Sequence, residues 1–201
     1  FAQGTYHLTD QIDFTGGVRY TWDNRHLDQQ STILRNVRAS FSQPNWSGSL
    51  SYKFTSDIMA YARVATGYKA GGFNARSAGA PFNPEKVISY EGGVKTELLD
   101  RRVRFNASYF YTRAKDLQIQ QFQAGSGGAT SITVNAGKAD IKGIDAELQA
   151  LLGMGFSLDG NAGIADTKYK TYNVLDPVTN QIINIALSLI HISEPTRPER
   201  I

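Results

Sequence analysis

The chain has 201 residues, including 10 Tyr, 10 Phe, 2 Trp and 19 Gly, no Cys, 19% charged residues and a formal charge of +3. No apolar run approaches the roughly 20 residues of a membrane helix. The mild positive charge does not suit a nucleic-acid binder that neutralises many phosphates. The absence of cysteine excludes disulfide scaffolds, Cys-ligated zinc, iron–sulfur clusters and thiol nucleophiles. Phe1 lies within a patterned segment, without an initiator Met or a charged n-region, so the chain reads as an internal piece of a longer one.

In chain order, a short strand is predicted from Gln3 to Leu8. From Ile12 to Trp22 the even positions Ile12, Phe14, Gly16, Val18, Tyr20 and Trp22 oppose Asp13, Thr15, Gly17, Arg19 and Thr21, an unbroken period of two. The same split recurs at Trp46–Phe54, at Ile88–Leu98, at Val103–Tyr111 with Phe110 as the exception, and at Ile144–Leu152. It is weaker at Ile58–Tyr68 and Phe156–Ile164. Such segments are strands with one apolar and one polar face. Short connections fall at Thr9–Gln11, Thr55–Asp57, Leu99–Arg102 and Gly153–Gly155, with turn chemistry of Asp, Gly and Ser. Long polar loops are predicted at Asn24–Asn45, Lys69–Lys86, Gln123–Ser131 and from Lys170 onward.

Alternating short turns and long loops is the layout of an outer-membrane barrel. The stretch Val103–Phe122, returning as Ile132–Leu152, is longer than the 9–11 or so residues that cross a bilayer. Aromatics sort toward the strand ends: Tyr20, Trp22, Trp46, Tyr109 and Tyr111 toward the long loops, and Phe14, Phe54, Phe105 and Phe156 beside the short turns. This gives two candidate girdles. The opposite face holds Arg19, Lys53, Arg63, Glu91, Lys95, Glu97, Asp145 and Glu147, which require a wet lumen or a polar plug and hence a wide barrel. The predicted fold is all-β: a fragment of a transmembrane antiparallel β-barrel, with about eight long strands in an open curved sheet.

Five consecutive strings resemble the C-terminal barrel of TonB-dependent outer-membrane receptors of the ferric-siderophore type. They are Trp46–Lys53; Tyr61–Asn74 with its Gly71-Gly72-Phe73-Asn74 loop entry; Phe82–Glu85 with Ser89–Lys95, including Tyr90 and Glu91; Phe105–Tyr111; and Thr133–Lys138, containing Asn135, Ala136 and Gly137, with Lys142–Glu147, containing Gly143. The resemblance covers roughly Trp46 to Tyr172. It implies a barrel of about 22 strands with a plugged lumen, set in outer-membrane lipid. It further implies a ferric siderophore or related chelate as cargo, and coupling to the TonB complex through an N-terminal region outside this chain. No cofactor, resident metal or nucleic-acid partner is implied. Arg63, Lys69 and Arg76 are the candidates for contact with an anionic ferric chelate, against a plainer account as solvated loop or lumen charges. Gly71-Gly72 reads first as tight backbone geometry. A passive porin-like channel or adhesin barrel shares the alternation and would lack the upstream coupling box.

No catalytic constellation is found. His7 and His26 lack the spacing of a metal site or a nucleophile elbow, and Glu91 and Glu97 share a uniformly charged face rather than contrasting environments. A rim Ser/His hydrolase is the remote enzymatic reading. From Leu187 to Arg197 the alternation stops, and eleven consecutive residues resemble the translation of a transposase-library sequencing adapter. The expectation is therefore a partial barrel over 1–186 and a non-native tail over 187–201, whose His191 and Ser193 have no catalytic meaning.

Overall fold

The computed structural model describes residues 1–30, 34–75, 81–125, 128–175 and 181–186. The tail expected at 187–201 and the candidate Arg76 lie outside them. The described residues form nine strands: β1 (Ala2–His7), β2 (Ile12–Gln30), β3 (Leu34–Lys53), β4 (Ile58–Lys69), β5 (Glu85–Leu98), β6 (Val103–Gly125), β7 (Gly128–Gly153), β8 (Phe156–Leu175) and β9 (Ile182–Asn184). Each pairs antiparallel with its sequence neighbour in the order β1 to β9, and among the described residues nothing pairs β1 with β9. The sheet is open, as predicted.

Two predicted loops are strand. Asn24–Asn45 is mostly the outer half of the β2–β3 hairpin, with pairs from Asn24↔Ser40 to Gln30↔Leu34, and the β6–β7 ladder continues to Gly125↔Gly128. In the β2–β3 extension the outward face is polar and the inward face mixes Arg25 and Gln29 with Leu27, Val37 and Phe41, so the hydropathy does not alternate although the backbones pair. The segment after Lys170 likewise continues β8 to Leu175 before the short β9.

The tight connections all lie at one rim. Thr9 Oγ1 accepts the amides of Gln11 and Ile12, at 3.2 and 3.0 Å, and Leu8 N donates to Ile12 O at 2.9 Å. Leu99, Asp100 and Arg101 take left-handed φ of 52°, 53° and 64°, and Gly153-Met154-Gly155 takes 92°, 50° and 82°. These turns reverse the chain within a few residues and bring neighbouring strands into register.

The sheet is one layer thick and has no core of its own. Its buried apolar residues are alanines, such as Ala114, Ala139 and Ala150, and among the described residues no large side chain is fully buried. Phe14, Trp22, Tyr90, Tyr109, Phe156 and Ile164 stand exposed on the apolar face. A face of that composition requires another apolar medium against it. The polar residues of the other face lie one position away along each strand.

Candidate functional site

The polar face is cross-linked along the strand register. Tyr61 Oη donates to Glu91 Oε1 at 2.5 Å, and Lys95 Nζ lies 5.5 Å from the centre of the Tyr61 ring. Arg104 Nη2 donates to Glu97 at 2.8 Å, Asn106 Nδ2 to Glu147 at 3.2 Å, and Ser89 pairs with Thr112 at 2.8 Å. Between β4 and β8 this face forms an open groove in which, among the described residues, Lys95 is the one cation beside Asp145, Glu147 and Asp159. Phe110, out of step in hydropathy, lies on this polar side across Gly143. A Cβ on Gly143 would sit 2.5 Å from Phe110 Cζ and 2.4 Å from the Ile164 carbonyl oxygen. Tyr61 covers Gly93 in the same way, 2.8 Å from the position a Cβ would take.

Above the groove, toward the long-connection rim, the segment after β4 folds against the polar face. It starts at Gly71-Gly72, where a Cβ on Gly71 would meet Phe82 O at 2.3 Å and the Phe41 ring at 2.7 Å. Gly72 and Phe82 exchange backbone hydrogen bonds of 3.1 and 2.8 Å. Side chains from both flanking walls then fix the segment. From β3, Arg35 Nη1 donates to Asn74 O at 3.1 Å, and Arg35 and Phe41 share the odd parity of the polar face. From β7, the Asn74 amide acts as a strand rung, donating to Thr133 O at 2.8 Å and accepting from Thr133 N at 2.7 Å. Asn135 accepts from Asn83 N at 2.5 Å, and its Nδ2 donates at 2.8 Å to both Asn83 O and Asp116 O. Gln118 Nε2 donates to Ala70 O and Asn83 O, at 2.8 and 3.2 Å, and Glu85 accepts from Gln118 N.

This clamp sits where the β6–β7 ladder breaks register, between Lys115 and Gln118. Asp116 adopts a left-handed φ of 56° there. Asp is among the few non-glycine residues that visit this region, and its carbonyl is the one that Asn135 holds. Ala136 and Gly137 are buried beside the break, with Ile119 Cδ1 2.9 Å from where a Gly137 Cβ would lie. Phe73 is half-buried within the segment.

Of the sequence-predicted cations, the two described ones, Arg63 and Lys69, do not converge. Arg63 stands opposite Glu91 on the polar face, and Lys69 Nζ lies 4.0 Å from Glu85. The two are six residues apart on one strand, or about 20 Å at about 3.3 Å per residue. Tyr90 belongs to the opposite, apolar face, stacked on Tyr111 at 6.4 Å. Phe82 and Asn83 fall within one of the motif strings, whereas Arg35, Phe41 and Gln118 carry no signal of their own in the sequence: Arg35 and Phe41 lie in the predicted loop Asn24–Asn45, and Gln118 in the predicted strand Val103–Phe122. Among the described residues no group of three or more His, Asp or Glu is placed to hold a metal ion.

Comparison with known proteins places these features in a family. A family model described as TonB dependent receptor-like, beta-barrel matches residues 1–188. The chain is 37% identical over 179 residues to the pesticin receptor of Yersinia pestis, covering 84% of this chain and 26% of that protein. It is 30% identical over 124 residues to the metal-pseudopaline receptor CntO of Pseudomonas aeruginosa, covering 55% of this chain and 17% of that one. Among solved structures, the ferric yersiniabactin uptake receptor FyuA from Yersinia pestis matches with a TM-score of 0.69 and 33% identity, over 84% of this chain and 26% of that one. The chain thus spans about a quarter of the length of the pesticin receptor and of the yersiniabactin uptake receptor.

Proposed function

We propose, for a chain that belongs to the TonB-dependent receptor family and forms part of its outer-membrane β-barrel, that the whole protein imports a ferric siderophore or a related metal chelate, energised through the TonB complex. The observation that carries this reading is the 33% identity, over 84% of the chain, to the ferric yersiniabactin uptake receptor FyuA. A metal-pseudopaline receptor among the relatives widens the cargo class from ferric siderophores to metal chelates generally.

In this reading the polar face is the barrel lumen, and its acidic groove faces the plug that the rest of the chain supplies. The described residues 71–74 and 82–83 form part of the inner wall of the extracellular vestibule, with Arg63, Lys69 and Arg76 as candidate contacts for an anionic chelate. The clamp of Asn74, Gln118 and Asn135 would keep that wall in one shape, so that cargo binding does not have to order it.

The test is uptake of radiolabelled ferric chelates by an iron-limited strain lacking the whole gene, with and without complementation and in the presence or absence of functional TonB. Complementation that depends on TonB is expected for at least one chelate. Uptake that persists without TonB would favour a passive channel, and no gene-dependent uptake of any ferric or other metal chelate would reject the reading.

A further inference from the structure

Above the membrane strands the sheet splits. β3 pairs with β2 without a register shift from Ile12↔Tyr52 to Gln30↔Leu34, whereas its ladder with β4 stops at Ser47↔Ala65 and β4 continues upward on β5 to Lys69↔Glu85. Thr66 Oγ1 closes the β3–β4 ladder by bonding both Trp46 N and Trp46 O. Beyond that rung, one edge of β3 has no strand beside it among the described residues. No further barrel strand fits there, because β3 and β4 are already paired to each other below.

The register determines which backbone groups line this edge. In an antiparallel ladder the N–H and C=O of alternate residues point to the same neighbour. Lys53 N donates to Gln11 O at 2.8 Å, so the odd residues of β3 bond to β2 and the even ones point to the β4 side. The bonds of Trp46 to Thr66 agree. The amides and carbonyls of Asn36, Arg38, Ser40 and Ser42 therefore point out from the open edge, along about 20 Å at about 3.3 Å per residue. Pro44 holds the next even position, and proline is tolerated within a strand where its nitrogen faces an unpaired side.

Such an edge is a template for another chain unless it is blunted. Pro44 blunts only the foot of this one. The side chains follow the same alternation: Asn36, Arg38, Ser40 and Ser42 are exposed on the outward face, and Val37, Ala39 and Phe41 are half-buried on the other. Arg38 stands opposite His26 and has no ion pair among the described residues. A strand laid along this edge would set alternate side chains beside Val37, Ala39 and Phe41, and the intervening ones beside Arg38 and the serines.

We propose that the upper edge of β3, from Asn36 to Ser42, receives an extended segment of an extracellular protein by strand addition, a segment with apolar residues at alternate positions and a carboxylate beside Arg38. Main-chain hydrogen bonds give such a contact its affinity, and the alternating side chains give it specificity. A second copy in the same membrane is not the occupant. A two-fold axis along the membrane normal sets each edge residue against itself, donor to donor, and an antiparallel match turns one barrel upside down. The site is separate from the vestibule wall, so it does not depend on which chelate the receptor carries.

The test uses the whole receptor in lipid nanodiscs. In the free receptor, residue-resolved hydrogen exchange is expected to show fast amides at Arg38, Ser40 and Ser42, alternating with amides at Val37, Ala39 and Phe41 that are at least tenfold slower. The probe is a capped fluorescent peptide, Thr-Val-Thr-Val-Glu-Val-Thr, with binding read by anisotropy. Its binding should slow the three fast amides at least tenfold. Methylating its Thr and Glu amides blocks antiparallel addition and methylating its Val amides blocks parallel addition, so one of the two modified peptides should fail to bind. Ser40→Pro removes an amide that faces the edge and not β2. It should weaken binding at least tenfold while heat-modifiable gel migration stays that of the folded barrel. Arg38→Glu should weaken binding of this peptide at least threefold and strengthen binding of the peptide with Lys in place of Glu. Amides at Arg38, Ser40 and Ser42 as slow as their odd neighbours in the free receptor would overturn the proposal, as would no binding by either charge form. Binding by both methylated peptides, or wild-type affinity in a folded Ser40→Pro, would overturn strand addition, and an unchanged charge preference in Arg38→Glu would overturn the carboxylate assignment.

Discussion

Replacing Asn135 by Ala tests the clamp, because one side chain there makes three hydrogen bonds to two backbone segments. The bonds to Asn83 N, Asn83 O and Asp116 O measure 2.5, 2.8 and 2.8 Å. Each is worth about 0.5–1.5 kcal/mol net, and water replaces part of that at a solvated site. A local loss of about 1–3 kcal/mol follows, which raises the opening of the backbone at 71–74 and 82–83 about five- to 150-fold. Hydrogen exchange in the whole receptor reads this directly. The amides of Gly72 and Phe82, which bond to each other's carbonyls, and that of Asn83 should exchange faster by that factor. Amides of the β5 and β6 pairs from Tyr90↔Tyr111 to Leu98↔Val103 should not change. Asn135→Asp should do as much damage as Ala, since a carboxylate still accepts from Asn83 N but puts negative charge against two carbonyls. In uptake assays both variants should raise KM more than they lower the maximal rate. Unchanged exchange at Gly72 and Phe82, or a uniform rise across the membrane strands, would refute the argument that Asn135 holds this segment.

Gly143→Ala should destabilise the barrel by about 1–3 kcal/mol in urea unfolding from lipid vesicles, because its methyl would meet the Ile164 carbonyl at 2.4 Å as well as the Phe110 ring. Phe110→Ala in the same chain should restore less than half, since the carbonyl cannot move aside. Gly71→Ala should leave that unfolding midpoint nearly unchanged while accelerating exchange at Gly72, because its clash with Phe82 O at 2.3 Å lies outside the membrane strands. Tyr61→Phe removes a hydrogen bond to a carboxylate on the lumen wall and should cost about 1–3 kcal/mol. Glu97→Gln, whose partner Arg104 is half exposed at the short-turn rim, should cost about 0–1 kcal/mol, measured by the same unfolding assay.

Legibility in the sequence tracks the surroundings of each strand. Where one face meets hydrocarbon and the other water, as in Ile12–Trp22 or Val103–Tyr111, hydropathy alternates and both the strand and its faces are readable from residues alone. Beyond the tyrosines both faces are wet. There Asn24, His26 and Asp28 pair with Ser40, Arg38 and Asn36, and nothing in their polarity distinguishes strand from loop. Phe110 illustrates the opposite failure: it is apolar on the polar face because it packs over Gly143, a contact 33 residues away along the chain. The site was legible as motif residues but not as a mechanism. Asn74 and Asn135 stood out as parts of recurring strings, yet their roles depend on Gln118, Arg35 and the register break at Asp116, which only the pairing of β6 with β7 brings within reach. Arg63 and Lys69 were grouped by charge, and strand geometry separates them.

The β3–β4 ladder ends at Ser47↔Ala65, and the next rung is made by a side chain: Thr66 Oγ1 accepts from Trp46 N at 2.8 Å and donates to Trp46 O at 3.2 Å. Above that hydroxyl the β2–β3 hairpin is joined to its neighbours through side-chain contacts such as Tyr68 to Asp23 and Arg35 to Asn74. The hairpin is thus a cantilever hinged at a threonine. Its length can be changed without disturbing barrel closure, because each doubling of a loop adds only about 0.6 kcal/mol of closure entropy. The tip between Gln30 and Leu34 is accordingly the place where an epitope, a fluorophore peptide or a binding domain can be inserted for surface display while the membrane strands fold as before.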